Sequence, residues 1–232
     1  MINSTFISTQ IRYEHIPRAL FTEEYIAQCA KLFSENYGVW GPDVSAPLKP
    51  GERIKMNSNR FKDQYLFDDS CYGVLAVNDS TVIGQAFYTC FTVEDLGLIK
   101  WIIQLVVAKD YRHLKVGSTL CSMAAGIEWK GCGLATSHPY AVRALEKACR
   151  IKCDPALILK YGNQILTTSP IPYTKTAVLH CSGNHSYIDT HFFVDHCEIS
   201  PVLEREVALG RWKLGETLQD GYEFFAFVFN FE

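Results

Sequence analysis

Ile103-Gln104-Leu105-Val106-Val107-Ala108-Lys109-Asp110-Tyr111-Arg112-His113-Leu114-Lys115-Val116-Gly117-Ser118-Thr119-Leu120 spells a strand, a polar turn and the start of a helix without interruption. Trp101 to Val107 is apolar enough for a central strand, and Ala108 to Arg112 breaks it. From Gly117-Ser118 onward, Leu120, Met123, Ala124 and Ile127 recur at helical spacing to about Lys130. A buried strand that delivers the chain to a helix N-terminus builds an anion cradle. The first amides of the helix lack intrahelical acceptors, and the helix dipole favours negative charge there. A pyrophosphate suits such a cradle.

Upstream, Tyr72 to Val77 and Thr81 to Phe91 are β-rich runs separated by Asn78-Asp79-Ser80, a hairpin signal. Before them Thr22, Glu23 and Glu24 open a helix whose apolar face is Ile26, Cys29, Ala30 and Phe33, ending near Tyr37-Gly38. The stretch from Gly41 to Gly51 reads as an irregular packed loop. Downstream, Gly133 to Ser137 is a short strand and Pro139 opens a helix through Ala141, Ala144, Leu145 and Ala148. Asp154-Pro155 repeats that start for a helix to about Leu166, stopped by Ser169-Pro170-Ile171-Pro172. Ile188 to Val194 is strand-like, Ser200-Pro201 opens a helix to about Leu209, and Tyr222 to Phe231 is a final strand. An early hairpin followed by alternating helices and strands predicts a mixed α/β sheet. We read residues 1–232 as one domain, with about 153–187 as an inserted helical segment.

The charge balance excludes some partners. The 22 Lys and Arg against 25 Asp and Glu leave a net charge of −3, which lacks the basic footprint of a nucleic-acid binder. No apolar run reaches the roughly 18 residues of a membrane span. Met1 to Phe6 lacks the basic and apolar regions of a secretory leader. Nine cysteines without CxxC pairs predict free thiols in a reducing, cytoplasmic setting, and no metal site. The Walker, GxGxxG, GxSxG, HExxH and kinase signatures are missing.

The cradle resembles the GNAT superfamily of acyl-CoA-dependent N-acyltransferases, whose motif runs Gln or Arg, x, x, Gly, x, Gly or Ala. Arg112 matches the first position and Gly117 the last, while Lys115 stands where the family has glycine. The resemblance extends to Ser137-His138-Pro139-Tyr140-Ala141-Val142-Arg143-Ala144-Leu145-Glu146-Lys147, with His138 in place of the family's Asn. Together with Asn36 to Gly41, Asp189 to His196 and Asp220 to Phe224, it points more specifically to uncharacterised GNAT-like proteins of fungi. The implied fold is a mixed sheet that splays ahead of the turn, flanked by helices. The implied reaction is acetyl transfer from acetyl-CoA to a primary amine by direct attack in a ternary complex, most simply on a small molecule. The alternatives are a catalytically silent CoA-binding sensor or a protein-lysine acetyltransferase.

By that resemblance, Leu105, Val106 and Val107 would hold the pantetheine arm, and Arg112, His113, Leu114, Lys115, Val116, Gly117 and Ser118 the pyrophosphate. Arg143 and Lys147 lie four apart on one helical face and are candidates for further phosphate contacts. The family's thiolate-protonating tyrosine would fall at Leu145, leaving that role to another group. His138, at the carboxyl end of a strand, is a candidate base or a helix cap. Asp195 and His196 form a candidate carboxylate–imidazole pair. Tyr37 and Trp40, after the first helix, and Glu94 and His191 are candidates for the acceptor's walls.

Overall fold

The computed structural model describes residues 11–231, so the reading of Met1 to Phe6 lies outside the described residues. In chain order the elements are β1 (Arg12–Pro17), α1 (Glu23–Asn36), α2 (Ser58–Tyr65), β2 (Cys71–Asn78), β3 (Thr81–Val93), β4 (Gly97–Val107) and α3 (Val116–Ala125). There follow β5 (Gly131–Thr136), α4 (Pro139–Cys149), α5 (Pro155–Thr168), β6 (Val178–Ser182), β7 (His185–Phe192), α6 (Ser200–Ala208) and β8 (Gly221–Phe229).

One mixed sheet of eight strands forms, in the order β1-β2-β3-β4-β5-β8-β7-β6. The β2–β3 hairpin turns through Asp79, held at φ 55, which an aspartate tolerates better than most residues. Strands β4 and β5 are the parallel pair, joined by the crossover through α3. Their pairing runs from Ile99↔Gly131 to Ile102↔Leu134 and stops there, although both strands continue. On its other side β4 shifts register against β3, from Tyr88↔Ile102 to Phe87↔Gln104, leaving Ile103 as a bulged residue. The sheet therefore opens at the carboxyl ends of β4 and β5, as the expected splay requires.

Helices α1, α2 and α5 cover one face; α3, α4 and α6 cover the other. Between them the core is dense with aromatics. Trp101 meets Phe225 and Phe227 edge-on at 5.3 Å, and all three are fully buried. Gly133 lies flat under Phe227; a Cβ there would come within 2.3 Å of the ring, so only glycine fits. Segment 153–187 is built into this core, since α5 buries Ile158 and Ile165 completely.

Local chemistry sets the helix ends. Thr22 Oγ1 accepts from the Tyr25 amide at 3.2 Å, and Asp154 Oδ1 accepts from Ala156 at 2.8 Å. Helix α3 stops at Ala125, short of the expected Lys130, because Gly126 turns the chain at φ 58; Ile127 is 90% exposed instead of joining the apolar face. Helix α2 escapes a periodicity reading altogether. It is capped by Asn57 and mostly polar, and it buries Phe61 alone. All nine cysteines are free. No helix among the described residues is long and apolar enough to cross a membrane.

Candidate active site

At the carboxyl end of β4 a single 3-10 turn over Lys109–Tyr111 leads into Arg112 to Lys115, where His113 and Lys115 both take left-handed backbone at φ 62 and 66. Such alternation turns backbone amides to one side and makes an anion nest. The first bond of α3 runs from Thr119 N to Lys115 O at 3.0 Å, so the amides of Val116, Gly117 and Ser118 lie ahead of it. The hydroxyls of Ser118 and Thr119 donate back to that same Lys115 carbonyl and do not compete for the opening. A Cβ on Gly117 would meet Ala144 and Val107 only at 3.8 Å. Packing does not demand glycine here; its small size keeps the approach to these amides clear.

Arg112 does not face the cradle opening with a free guanidinium. Its Nη2 donates to Asn36 O at 2.8 Å and its Nε to Val107 O at 3.3 Å, clasping the end of α1 to the end of β4. A cation at the α1 C-terminus also complements the helix dipole. Arg143 is likewise committed. It pairs with Glu146 and with Glu206 at 3.4 Å, carboxylates that are 8% and 3% exposed and also engage Lys152 and Arg211. The expectation that Arg143 meets a cofactor phosphate therefore gives way to an internal ion network joining α4 to α6. Lys147 is exposed one turn further along α4. Of the cradle residues, His113, Leu114 and Lys115 are exposed, Val116 and Val106 are buried, and Leu105, Val107 and Gly117 are half-buried.

On the opposite face, where β4 and β5 part, lies a cavity of about 400 Å³. Ile103 and Ala135 form its edge at the two diverging strands. Tyr37 enters just after α1, stacked on Phe33 at 4.4 Å and edge-on to Phe192 at 5.8 Å. Tyr65 comes from the last turn of α2, and Tyr173 from the short 3-10 turn Pro172–Lys175, edge-on to Trp101 at 6.3 Å. Strand alternation in β7 sends Thr190 and Phe192 inward, and places His191 outside, exposed at φ 52 and 3.1 Å from Asp189.

The carboxylate in the lining is Glu223 of β8, one step beyond the last β5–β8 pair, Thr136↔Phe224. It is only 7% exposed, and none of the ion pairs among the described residues includes it. Burial pushes its pKa up to about 7, opposed by the Thr190 hydroxyl. The phenols of Tyr37 and Tyr173 are pushed well above their ordinary range by burial and then by Glu223 itself, and burial raises Tyr65 to about 12. A carboxyl that titrates near neutrality inside an aromatic cavity is equipped to take a proton at working pH. Glu223 sits in an apolar strand, and nothing in the pattern of that strand distinguishes it from a solvated edge residue.

The other expected residues lie elsewhere. His138 is the N-cap of α4: its Nδ1 accepts from the Tyr140 amide at 3.2 Å, and burial followed by Arg112 lowers its pKa to about 4. The capping alternative is the one the structure takes. Asp195 accepts from the Cys197 amide at 2.6 Å, and the Cys197 thiol, then that amide, hold its pKa low. His196 turns to Asp220 at 3.5 Å, with its pKa lowered by burial against that carboxylate's opposing pull. Neither lines the cavity. Trp40 is a core residue edge-on to Phe192 at 5.5 Å, and Glu94 lies in the β3–β4 turn at the far end of β4, its carbonyl bound by Gln164. Tyr37 is the one expected acceptor residue that the cavity contains.

No protein-family model and no curated protein matches the chain. Among solved structures it is similar to Arabidopsis thaliana NAA60 in complex with a bisubstrate analogue, at 16% identity over 62% of this chain and 85% of that one, TM-score 0.42. An acetyltransferase of the GNAT family from Streptococcus pneumoniae is similar at 13% identity over 62% and 86%, TM-score 0.42. Diaminobutyrate acetyltransferase EctA from Paenibacillus lautus, in complex with L-2,4-diaminobutyric acid and coenzyme A, is similar at 13% identity over 61% and 74%, TM-score 0.37.

Proposed function

We propose that this protein is an N-acyltransferase that moves an acetyl group from acetyl-CoA to a primary amine. The carrying observation is one opening in the sheet served from both faces. The leading amides of α3 stand at the end of β4 on one side, and the Glu223 cavity meets the parted strands on the other. The fit to acetyl-CoA is local. Val116, Gly117 and Ser118 would hold the pyrophosphate, with Lys115 adding charge at the rim. The β4 backbone beyond Ile102 has lost its β5 partners and would bind the pantetheine amides. When bound, acetyl-CoA supplies an activated thioester.

The chain's own groups then handle protons and charge. Glu223 takes one proton from the incoming ammonium and so frees the lone pair that attacks. The carbon–nitrogen bond forms, the carbon–sulfur bond breaks, and the second nitrogen proton goes to the leaving sulfur. Amides on the freed β4 edge stabilise the oxyanion. Leu145 carries no exchangeable proton, so the last proton passes through another group, and the phenols of Tyr37, Tyr65 and Tyr173 border the cavity. The same reading takes residues 1–232 as one domain in a reducing, cytoplasmic setting, in keeping with nine free thiols.

Thermal shift with acetyl-CoA and its desulfo analogue tests the binding half; no stabilisation at millimolar ligand overturns it. Thiol release with an amine panel tests the chemistry. A protein that binds CoA tightly and releases no thiol is the silent sensor, a reading favoured by Leu145.

A further inference from the structure

Glu223 raises a question that catalysis alone does not answer, namely what balances its charge. A buried carboxylate is stable when it is paired or well hydrogen-bonded. Here no lysine, arginine or histidine among the described residues pairs with it, and the Thr190 hydroxyl, which opposes the rise in its pKa, donates to the Gly221 carbonyl at 3.4 Å. Rings dominate the walls it shares: Tyr37, stacked on Phe33 and edge-on to Phe192, with Tyr65 and Tyr173. Faces of aromatic rings attract cations, most strongly when water is excluded. The chemistry of the walls is therefore complementary to a single positive charge on an otherwise apolar body.

We infer that the acceptor is a small monoamine on an aromatic or aliphatic body, seated as its ammonium against Glu223 within this ring of aromatic walls. The inference rests on the acyltransferase reading for its chemistry, though not for its binding. The half-open cavity, about 400 Å³, has room for a compact ligand. One carboxylate among the lining residues serves one charge. Polyamines and aminoglycosides carry several, and their further charges would be desolvated against Phe33, Ile54, Met56 and Phe192 without partners. Arg60 also lines the cavity, as an exposed cation that makes no ion pair with Glu223, so a second ammonium extending past the one on Glu223 toward the mouth would meet a like charge.

The binding test needs no acetyl-CoA. Phenethyltrimethylammonium cannot be acylated, so its calorimetric titration reports on the cavity alone. It should bind the full-length protein about tenfold or more tightly than its uncharged carbon isostere, and Glu223→Gln and Tyr37→Leu should each remove about a tenfold factor. Circular dichroism of both variants checks that the fold is kept. In turnover, 2-phenylethylamine should exceed spermidine and a lysine peptide in kcat/KM. Equal binding of cation and isostere overturns the inference, as does better use of spermidine or the peptide. Failure of acetyl-CoA to bind while the quaternary ammonium still does so would sink the acyltransferase reading, and with it the acceptor role, and leave the cavity as a monoammonium-binding site.

Discussion

The cradle and the cavity lie at the same parting of strands, yet they are made in different ways. The cradle is continuous chain: Val107 through Ser118 build it, and its defining bond closes within five residues, from Thr119 to Lys115. The cavity draws on residues as far apart as Phe33 and Glu223, from α1, α2, four strands' worth of edges and the turn after α5. A contiguous site keeps its geometry as long as the local turn survives. An assembled site depends on every element that carries a wall, and the electrostatics of Glu223 are a property of the assembly.

The sharpest way to separate the two is to disable one chemically while sparing the other. Glu223→Gln should lower kcat about 10²- to 10⁴-fold with acetyl-CoA binding unchanged, since general-base catalysis is worth that much. In the wild type kcat/KM should rise with pH through about 7, and that limb should vanish in the variant. Retained activity in the variant would remove Glu223 from the mechanism.

The same substitution has the opposite effect on stability. The folded carboxyl titrates at about 7 against an ordinary 4.5, so between these values the folded state holds a proton that the unfolded chain releases. Stability must then fall as pH rises from 4.5 to 7. Above pH 7 the glutamine variant should be more stable by up to about 3 kcal/mol, and equal to wild type near pH 4, as read by chemical denaturation.

Gly117→Trp attacks the other region by filling the approach to the amides of α3. It should abolish acetyl-CoA stabilisation, which amounts to about 2.7 kcal/mol at 100 times the dissociation constant, while the cavity still binds the quaternary ammonium. Arg112→Met bridges the comparison, because its guanidinium ties Asn36 beside the cavity to Val107 beside the cradle. Leaving those carbonyls unpaired should cost about 1–3 kcal/mol and weaken both ligands together. A loss confined to acetyl-CoA would instead show that Arg112 acts on the cofactor.

At neutral pH the smallest effect belongs to His138. Its folded pKa of about 4 lies below the ordinary 6.5, so its contribution is present above pH 6.5 and is lost as pH falls toward 4. His138→Asn keeps a capping acceptor and should flatten that slope with activity retained. His138→Ala should cost about 1 kcal/mol through the lost cap.

What could be read in advance follows the same division. Thr22, Asp154 and Pro139 mark helix starts because caps and first-turn prolines satisfy or dispense with amides a few residues away. The strand–turn–helix from Trp101 to Leu120 was legible for the same reason, as was the β2–β3 hairpin. Helix α2 was not: Phe61 anchors it against Phe87, and one anchor makes no period. Arg143 and Lys147 share a helical face by spacing, but spacing does not reveal that Glu206, arriving from α6, claims Arg143.

By itself, then, the sequence determined the mixed α/β class and the strand–turn–helix that carries the proposed cradle, and it singled out Tyr37, which lines the cavity. Each depends on short-range backbone bonding or on hydrophobic periodicity. Only the tertiary structure brought Glu223 into the aromatic cavity, where burial raises its pKa, and made His138 a cap. A pKa is set by the water that folding removes and by the charges it brings near. Those neighbours come from α1, α2, β7 and the turn after α5, none of them adjacent to Glu223 in the chain.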